Sequence, residues 1–372
     1  MSETPLLFVV TGGGTGGHVI PALAVAGELR LRGHSVVFIG TQEGMEARLV
    51  PQSGLPLELI RIGGLNRVGW RQALATCWQL PIGILRAWRL LGQLHPAAIL
   101  SLGGYVAGPV IVAAWLRRLP VVALEPNAMP GMTHRLAKGM LSRVLLGVAS
   151  AQAHFPAVPC EFTGIPVRPE FLTAPDVSLT PPLRILITGG SQGSGALNRA
   201  FRQSWPLFRE AGLPVRFLHQ CGRSAVSDLR RDFAASGLQG EVTAFIDDMP
   251  AAFAQASLVV SRSGASTVAE LAAARRPSIL VPFPFAADDH QRHNAEVLAG
   301  AGAARIVPDA ELDGNRLFQE VAALARQPDQ LRAMGAAAGQ AWRGGAAGRA
   351  AEVLEETAKR VVDLEAKSRN NI

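Results

Sequence analysis

Short apolar runs rich in β-branched residues recur along the first part of the chain, each followed by a stretch with helical periodicity. The run at residues 6–10 leads through a glycine-rich loop into a helical pattern over residues 21–31. The next run covers residues 35–39, and further strands are predicted near Ile99 and Val121. Strands that alternate with helices in this way predict a parallel sheet with helices on both faces.

The same pattern restarts at Leu183, after a proline-rich stretch over residues 156–182 that has little periodicity. Further strands are predicted at residues 216–219, 242–245, 258–261 and 278–281. The two openings, VVTGGGTGG and LITGGSQGS, look like one strand-loop-helix unit used twice. We therefore predict an α/β protein with two Rossmann-like, doubly wound domains. Their ligand-binding cleft is expected where the carboxyl ends of the strands meet.

One uncharged segment, residues 97–116, has the length of a membrane span. Gly103-Gly104 and Gly108-Pro109 interrupt it, and its two ends resemble a strand and a helix. We interpret it as a buried strand, a glycine turn and a buried helix. The first apolar run has no basic residues before it, so we interpret it as a strand and not as a signal peptide.

The two glycine loops are candidate phosphate sites. A strand that leads through glycines into a helix presents backbone N–H groups at the positive end of the helix dipole. Gly12, Gly14 and Gly17 match GxGxxG, the motif of dinucleotide-binding oxidoreductases. That motif expects an acidic residue at the end of the second strand to hold a ribose, and here none occurs until Glu43. GxxxxGK[ST] does not occur, so ATPase chemistry is not supported. An ordinary tight turn remains the alternative for either loop taken singly.

The segment SRSGASTVAELAAARRP, residues 261–277, predicts a third strand-turn-helix site, with its helix starting near Ser266. Glu270 lies on the first turns of that helix, where its carboxylate can accept two hydroxyls of a ribose. The alternative is a capping box formed by Thr267 and Glu270.

His18 directly follows the first glycine loop. It is a candidate general base or phosphate partner, and the alternative is that it only caps the loop. Asp247-Asp248 and Asp288-Asp289 are adjacent pairs and not the DxD that commonly holds a metal-bound nucleotide sugar. We predict neither a metal nor a cofactor.

Residues 70–94 combine tryptophans with arginines. Helical spacing relates Trp78, Ile82 and Leu85, and it relates Ile84, Trp88 and Leu91 in a second stripe. Pro81 is expected to start or kink a second helix. Two apolar stripes with arginines between them favour a surface for anionic lipid, with Trp78, Ile82, Leu85 and Trp88 as its contacts. A core-facing helix is the alternative.

Composition indicates the class of protein, the charge of its partners and its redox compartment. Among 372 residues, 48% are hydrophobic and 17% are charged, which indicates folded domains. The formal charge of +7 favours an anionic partner. The three cysteines are far apart in the sequence, which is typical of a reducing compartment.

Six motifs occur in a fixed order: GGTGGH at 13–18, GGYVAGP at 103–109, GGSQGS at 189–194, FIDDM at 245–249, RSGASTVAE at 262–270 and PFPFAADDHQ from 282. In this order they resemble the MurG family, which adds N-acetylglucosamine to lipid-linked N-acetylmuramyl-pentapeptide. The resemblance implies the GT-B fold, with an acceptor and membrane-facing domain at residues 1–168. It also implies a UDP-sugar domain at 169–347 and a last helix, about 348–366, that returns to the first domain.

The resemblance implies an inverting transfer from UDP-N-acetylglucosamine to an undecaprenyl-diphosphate-linked muramyl-pentapeptide, without metal or nucleic acid. It implies a peripheral protein at the cytoplasmic side of the inner membrane that serves peptidoglycan synthesis, cell shape and division. The alternative is a non-hydrolysing UDP-N-acetylglucosamine 2-epimerase of the same fold. The implied donor-binding residues are Thr15, Gly16, Gly17, Asn127, Arg168, Ser191, Ile246, Ala265, Ser266, Thr267, Val268, Ala269, Glu270 and Gln291.

Two positions depart from the family pattern. Where the family commonly has HEQN, this chain has Leu124-Glu125-Pro126-Asn127, so the asparagine is kept in a different local backbone. The last residue of GGSQGA is here Ser194, which is a small-for-small change.

Overall fold

The computed structural model describes residues 5–14, 16–62, 70–190 and 192–369, with the side chains of 70–78, 287 and 361–369 left aside. Within it the chain forms two compact units. The first unit runs to Val167 and resumes at Arg343, and the second comprises Arg168–Trp342. Each unit is described by itself.

The helices and strands follow one another along both units. The strands are β1 Leu7–Thr11, β2 Ser35–Gly40, β3 Leu57–Leu59, β4 Ala98–Ser101, β5 Val121–Glu125, β6 Arg143–Leu146, β7 Cys160–Phe162, β8 Leu183–Thr188, β9 Val215–Gln220, β10 Gln239–Thr243, β11 Leu258–Ser261, β12 Ser278–Leu280 and β13 Ala304–Ile306. The helices are α1 Gly16–Leu31, α2 Glu46–Gln52, α3 Trp70–Leu94, α4 Ala107–Leu116, α5 Met132–Ala137, α6 Gly195–Ala211, α7 Val226–Ala234, α8 Met249–Gln255, α9 Ala265–Ala273, α10 His290–Gly300, α11 Gly314–Ala325, α12 Pro328–Ala341 and α13 Ala346–Arg369.

Each unit has a parallel sheet with the same kind of strand order. The order is β3-β2-β1-β4-β5-β6-β7 in the first unit and β10-β9-β8-β11-β12-β13 in the second. The order therefore reverses direction between β1 and β4, and again between β8 and β11. Open parallel sheets bind ligands at such a switch point, outside the carboxyl ends of the strands. The glycine loops follow β1 and β8, so each loop lies at the switch point of its sheet. The predicted pair of Rossmann-like domains is confirmed.

The central strands are apolar throughout because helices cover both faces of each sheet. Successive side chains of a strand point to opposite faces. Accordingly, Phe8 and Val10 pack with Leu354 of α13 on one face, while Val9 packs with Val110 of α4 on the other. In the second unit, the aromatic side chains of α6 fill the core above β9.

Ion pairs attach α13 to the first unit. Arg349 forms ion pairs with Glu161 of β7 and with Glu352 and Glu356 of its own helix. Arg143 of β6 also pairs with Glu161 and Glu356. The last helix is thus held by charges at its exposed side and by apolar side chains beneath.

The structure differs from the sequence prediction at several elements. Helix α3 runs through Pro81, so the expectation that a second helix starts there is wrong. Packing on α4, where Gly83 lies against Pro109, supports α3 at this point. Strand β10 ends at Thr243, two residues before the predicted strand end, and β7 lies inside the proline-rich stretch.

Residues 97–116 form β4, a turn and α4, as predicted. Among the described residues, no helix is long and apolar enough to cross a membrane.

Candidate functional site

The loop after β1 is held from beneath by a buried carboxylate. Glu46, the first residue of α2, is fully buried and accepts the N–H of Gly14 at 3.0 Å. Its other oxygen accepts the N–H and the hydroxyl of Thr41 at 3.0 and 2.6 Å. A Cβ on Gly13 would overlap this carboxylate, so the close approach requires glycine there. The carboxylate of Glu46 therefore fixes this loop. The N–H of Gly14 is already bonded to it and is not available to a ligand.

The turn after β4 packs directly on that loop. Gly103 and Gly104 have φ of 81° and 80°, which favours glycine. A Cβ on Gly104 would lie 2.7 Å from the carbonyl oxygen of Gly13. The Tyr105 hydroxyl lies 3.1 Å from the hydroxyl of Thr41. The two loops are therefore packed directly against each other.

The tautomer of His18 follows from its contact. This half-buried residue lies in the first turn of α1, with Nδ1 3.3 Å from the carbonyl oxygen of Gly13. A carbonyl can only accept, so Nδ1 carries the proton. In the neutral ring Nε2 is then the basic nitrogen, which is the form that a general base requires.

The end of β5 carries a second buried carboxylate. Glu125 accepts Nδ1–H of His134 at 2.9 Å, the N–H of Gly131 at 3.1 Å, and the N–H and side-chain amide of Asn127 at 3.1 and 3.2 Å. Burial acts to raise the pKa of Glu125, but His134 and these N–H groups hold it below its usual value. His134 Nε2 in turn lies 3.0 Å from the hydroxyl of Ser101.

The loop after β8 has a different support. The N–H of Gly193 bonds to the carbonyl of Gly190 at 2.9 Å, and the N–H of Gly190 bonds to the hydroxyl of Thr188 at 3.3 Å. The Gln220 amide donates to the carbonyl of Gly190 at 2.9 Å. Ser194 caps α6 by accepting the N–H of Leu197. Neutral groups thus hold this loop.

A guanidinium lies beside the second loop. Arg262, which follows β11, donates to the Ser194 hydroxyl at 2.8 Å and to the carbonyl of Val281 at 3.1 Å. It also pairs with Asp309. This cation connects the loop after β8 with the turn after β11.

The N-terminus of α9 is tied to the start of α10. Ser263 donates its hydroxyl to the backbone carbonyl of Gln291 at 2.7 Å, and Asn294 donates to the carbonyl of Ser263 at 3.4 Å. The side-chain oxygen of Gln291 accepts the N–H of Phe283 at 3.0 Å. Gln291 is therefore placed with its amide NH₂ as the group that remains to donate.

Helix α9 begins one residue earlier than predicted, after Gly264, which makes no side-chain cap hydrogen bond. Thr267 and Glu270 lie further along the helix, so the capping-box alternative is wrong. Without that role, the burial of Glu270 calls for a different explanation.

Glu270 and Arg168 form an incomplete pair. Glu270 Oε1 lies 3.9 Å from Arg168 Nη2, and neither Oε1 nor Arg168 Nε has a hydrogen-bond partner among the described residues. Burial raises the pKa of Glu270 to about 7, although the charge of Arg168 acts to lower it. Buried polar groups normally have partners. An unpartnered carboxylate oxygen is therefore suited to accept hydroxyl groups from a ligand.

Comparison of the sequence with known proteins shows the family of this chain. The glycosyltransferase family 28 N-terminal domain matches residues 8–146, and the C-terminal domain of that family matches residues 184–354. The UDP-N-acetylglucosamine--N-acetylmuramyl-(pentapeptide) pyrophosphoryl-undecaprenol N-acetylglucosamine transferase of Solibacter usitatus is 56% identical, over 96% of this chain and 98% of its own length. This chain belongs to the MurG family.

A solved member of the MurG family has a similar structure. The crystal structure of MurG from Acinetobacter baumannii is 33% identical with a TM-score of 0.77, over 95% of this chain and 100% of that one. A UDP-N-acetylglucosamine 2-epimerase from Neisseria meningitidis, bound to UDP-GlcNAc, is 14% identical with a TM-score of 0.67, over 94% and 99%. At that identity the epimerase shares the fold alone.

The residues implied by the MurG family resemblance fall into both units. Those in the first unit are Gly16, Gly17 and Asn127, with His18; those in the second are Arg168, Ile246, Ala265, Ser266, Thr267, Val268, Ala269, Glu270 and Gln291. Thr15 and Ser191 lie outside the described residues. The structure brings Arg168 to Glu270, while Ile246 lies in the connection from β10 to α8. Among the described residues, no group of three possible metal ligands is found.

The surface of α3 matches the predicted apolar contacts in part. Ile82, Leu85 and Trp88 are 66%, 48% and 40% exposed, and the side chain of Trp78 is not among those described. Leu91, assigned to the second stripe, is buried, so that stripe is not one continuous surface. Small residues, Gly83 and Ala87, form the buried face with Leu91 and let α3 approach α4. The exposed side chains border an apolar groove lined by Leu80, Pro81, Ile84, Leu85, Trp88 and Leu116.

Sequence reasoning missed three residues of the site: Glu46, His134 and Arg262. Glu46 follows a loop and not a strand end, and His134 lies on a short helix. A single acidic residue in an otherwise apolar helical face, as in MEARLV at residues 45–50, was the available signal for Glu46. Arg262 is the first residue of the motif RSGASTVAE, but no sequence pattern assigned it a role.

Proposed function

We propose that this protein transfers N-acetylglucosamine from UDP-N-acetylglucosamine to a muramyl-pentapeptide carried on undecaprenyl diphosphate, in peptidoglycan synthesis. The observation that carries the proposal is the 56% identity, over nearly the full length, to a transferase named for that reaction. The second unit is proposed to bind the donor, and the first is proposed to bind the acceptor and the membrane.

The donor site is proposed at the carboxyl end of the second sheet. The unpartnered oxygen of Glu270 accepts ribose hydroxyls, and Arg168 contacts the diphosphate. The amide NH₂ of Gln291 donates to a sugar hydroxyl, since its oxygen is already bonded to Phe283. Ile246 offers backbone groups to uracil. Ser191, with Ala265, Ser266, Thr267, Val268 and Ala269, surrounds the diphosphate.

The reaction is proposed to be a single displacement with inversion at the anomeric carbon. The acceptor's 4-hydroxyl attacks, the bond to the UDP oxygen breaks, and negative charge grows on the diphosphate. The N-terminus of α9, together with Arg168, stabilises that charge. His18 Nε2 takes the proton of the attacking hydroxyl. In the first unit, Thr15, Gly16, Gly17 and Asn127 are proposed as further donor-binding residues.

Membrane attachment is proposed through α3. Ile82, Leu85 and Trp88 present apolar surface to lipid, and Arg86 and Arg89 on the same helix are exposed. Arginines beside inserted apolar side chains favour an anionic membrane surface. Trp78 is proposed as a further contact. The protein is proposed to act peripherally at the cytoplasmic side of the inner membrane, in cell shape and division.

The test of activity uses purified protein, UDP-N-acetylglucosamine labelled in the sugar, and a lipid-linked muramyl-pentapeptide in detergent. Label is expected to move to the lipid fraction as a β-1,4-linked disaccharide, with one UDP released per transfer. A matched reaction without acceptor is expected to leave the donor unchanged. Conversion of the donor to its 2-epimer in that reaction, with no labelled lipid, would instead assign the epimerase function.

Membrane attachment is tested separately with vesicles. Leu85→Ser and Trp88→Ser are expected to weaken binding to vesicles containing anionic lipid by about 1.5–3 kcal/mol per inserted side chain. Leu31→Ser is the control, because Leu31 is exposed at the end of α1. Equal vesicle binding by all of these variants would refute the surface on α3.

A further inference from the structure

A continuous hydrogen-bond chain crosses the carboxyl ends of β4 and β5 in the first unit. The N–H of Gly103 donates to the Ser101 hydroxyl at 3.3 Å, and this hydroxyl lies 3.0 Å from Nε2 of His134. Nδ1 of the same ring lies 2.9 Å from Glu125. Since the carboxylate can only accept, Nδ1 carries the proton, and in the neutral ring Nε2 accepts from Ser101. One imidazole thus joins the ends of two strands.

Glu125 is saturated by its donors. Its two oxygens accept four hydrogen bonds: from His134, from the N–H of Gly131, and from the backbone and side chain of Asn127. The side chain is 2% exposed, and its pKa is lowered despite burial. A carboxylate with no remaining acceptor position and a lowered pKa is a poor general base. Glu125 instead holds Asn127 in place.

Helix α5 also holds the turn after β4 by a second contact. Thr133, the neighbour of His134, donates its hydroxyl to the carbonyl of Gly104 at 2.8 Å. Gly103 lies against the His134 ring, where an added Cβ would be 3.3 Å from the ring carbon Cε1. The turn that packs on the first glycine loop is therefore fixed by the same helix that fixes Asn127.

We propose that His134 is a positioning residue of the transferase reaction. Its two nitrogens set the turn at Gly103 and Gly104 through Ser101, and they set Asn127 through Glu125, in one common arrangement. His134 is 1% exposed and does not itself contact substrate. The proposal rests on the proposed function, because its readout is sugar transfer.

Two isosteric substitutions of His134 test its two hydrogen bonds, to Glu125 and to Ser101, one at a time. In His134→Asn the amide N–H replaces Nδ1–H and keeps the bond to Glu125, while the contact with Ser101 is lost. In His134→Gln the longer amide reaches the Nε2 position and keeps Ser101, while Glu125 loses a donor. Because Asn127 is held through Glu125, His134→Asn is expected to keep more activity than His134→Gln.

His34 supplies the matched control. It too is a buried histidine of the first unit with a carboxylate partner, Glu355 at 3.0 Å, and it accepts the N–H of Leu6 at 3.2 Å. It lies at the amino ends of the strands, away from the loops. Ser142→Ala is the control for Ser101→Ala, since the Ser142 hydroxyl accepts the N–H of Val121 at the first residue of β5.

The experiment measures kcat, KM for both substrates, donor Kd and thermal unfolding. His134→Gln is expected to lower kcat about 100-fold, as misplacement by about 1 Å can do, and to weaken donor binding by a smaller factor through the displaced Asn127. His134→Asn and Ser101→Ala each remove one hydrogen bond of this network and are expected to lower kcat by about 3- to 10-fold. His34→Asn and Ser142→Ala are expected to keep kcat.

Two outcomes would overturn the proposal. One is a kcat within twofold of the wild type for folded His134→Gln. The other is a loss shared equally by His134→Gln and His34→Asn. If His134→Gln does not fold, Ser101→Ala and His134→Asn decide, and unchanged kcat in both refutes the role. An inactive wild-type protein would instead refute the proposed function.

Discussion

The two glycine loops have similar sequences and opposite surroundings. The loop after β1 lies on the carboxylate of Glu46, and Glu125 lies at the nearby end of β5. The loop after β8 is held by neutral hydroxyl and amide groups, with Arg262 bonded to its last residue. A strand-loop-helix unit therefore sets the backbone geometry, but the charged groups beside it differ: carboxylates at the first loop and, at the second, a guanidinium that is paired with Asp309.

This difference supports the different roles proposed for the two loops. A diphosphate is favoured by nearby cations and is disfavoured by buried carboxylates. The second unit, which holds Arg168 and Arg262, is therefore the place proposed for the diphosphate of UDP, although Glu270 and Asp309 partly offset these cations. In the first unit, Glu46 uses the N–H of Gly14, and the carbonyl of Gly13 fixes the tautomer of His18. That loop is proposed to place His18 as the base.

The largest expected effect comes from His18→Ala. Removing a general base typically lowers the rate by about 10²–10⁴-fold, so kcat should fall by that order while donor Kd stays within a few-fold. The measurement is kcat at saturating acceptor beside donor Kd by calorimetry. Equal losses in both quantities would show that His18 only orders the loop, and the contrast between the loops would then lose its chemical meaning.

Glu46→Gln tests the anionic support of the first loop. The amide can accept at one oxygen only, so either the N–H of Gly14 or the N–H of Thr41 loses its partner, at a cost of about 1–3 kcal/mol. We expect a lower free energy of unfolding and a lower kcat, with a smaller effect on donor Kd. Glu43→Gln, at an exposed position of the same segment, is the control. A wild-type free energy of unfolding in Glu46→Gln would contradict the assigned support.

Glu270→Ala tests the second unit. The loss of charge-assisted hydrogen bonds to ribose, about 1.5–3 kcal/mol, should weaken donor binding about 10- to 100-fold. Glu296→Ala, an exposed position on α10, should leave donor Kd unchanged. Donor Kd is measured by calorimetry and unfolding by thermal melting. A lower melting temperature with unchanged donor Kd would mean that Glu270 serves the fold only.

The smallest effect is a pH dependence that Glu270 should give to donor binding. Its pKa is raised to about 7, so at pH 6 the free protein holds a proton that binding to the ionised carboxylate must release. Donor affinity should therefore rise with pH, by about tenfold between pH 6 and 8. Glu270→Gln should lack this dependence. A wild-type Kd that is constant over this range would contradict binding to the ionised form.

Features that depend on local pattern were predictable, and those that depend on distant partners were not. The apolar central strands and the glycine turns have recognisable local sequence patterns, and β1, β11 and the turn after β4 are examples. Strands of three residues at sheet edges, such as β3 and β7, are too short to give a pattern.

In the site, the motif around Glu270 pointed to that residue. Only the structure shows that its Oε1 has no hydrogen-bond partner among the described residues. His134 and Glu46 act through residues 9 and 32 positions away. No periodicity marks such contacts. The face of α3 was misassigned in part because Gly83 and Ala87, which are small, form its buried side.

The return of α13 to the first unit has a consequence for synthesis of the chain. The second unit is complete once Trp342 has left the ribosome, whereas the sheet of the first unit still lacks the helix that packs over Phe8 and Val10. The half that is translated first is therefore finished last. Until Ala350 and Leu354 emerge, the part of this apolar sheet face that α1 does not cover stays exposed, and we expect chaperones that bind such surfaces to engage it during that interval.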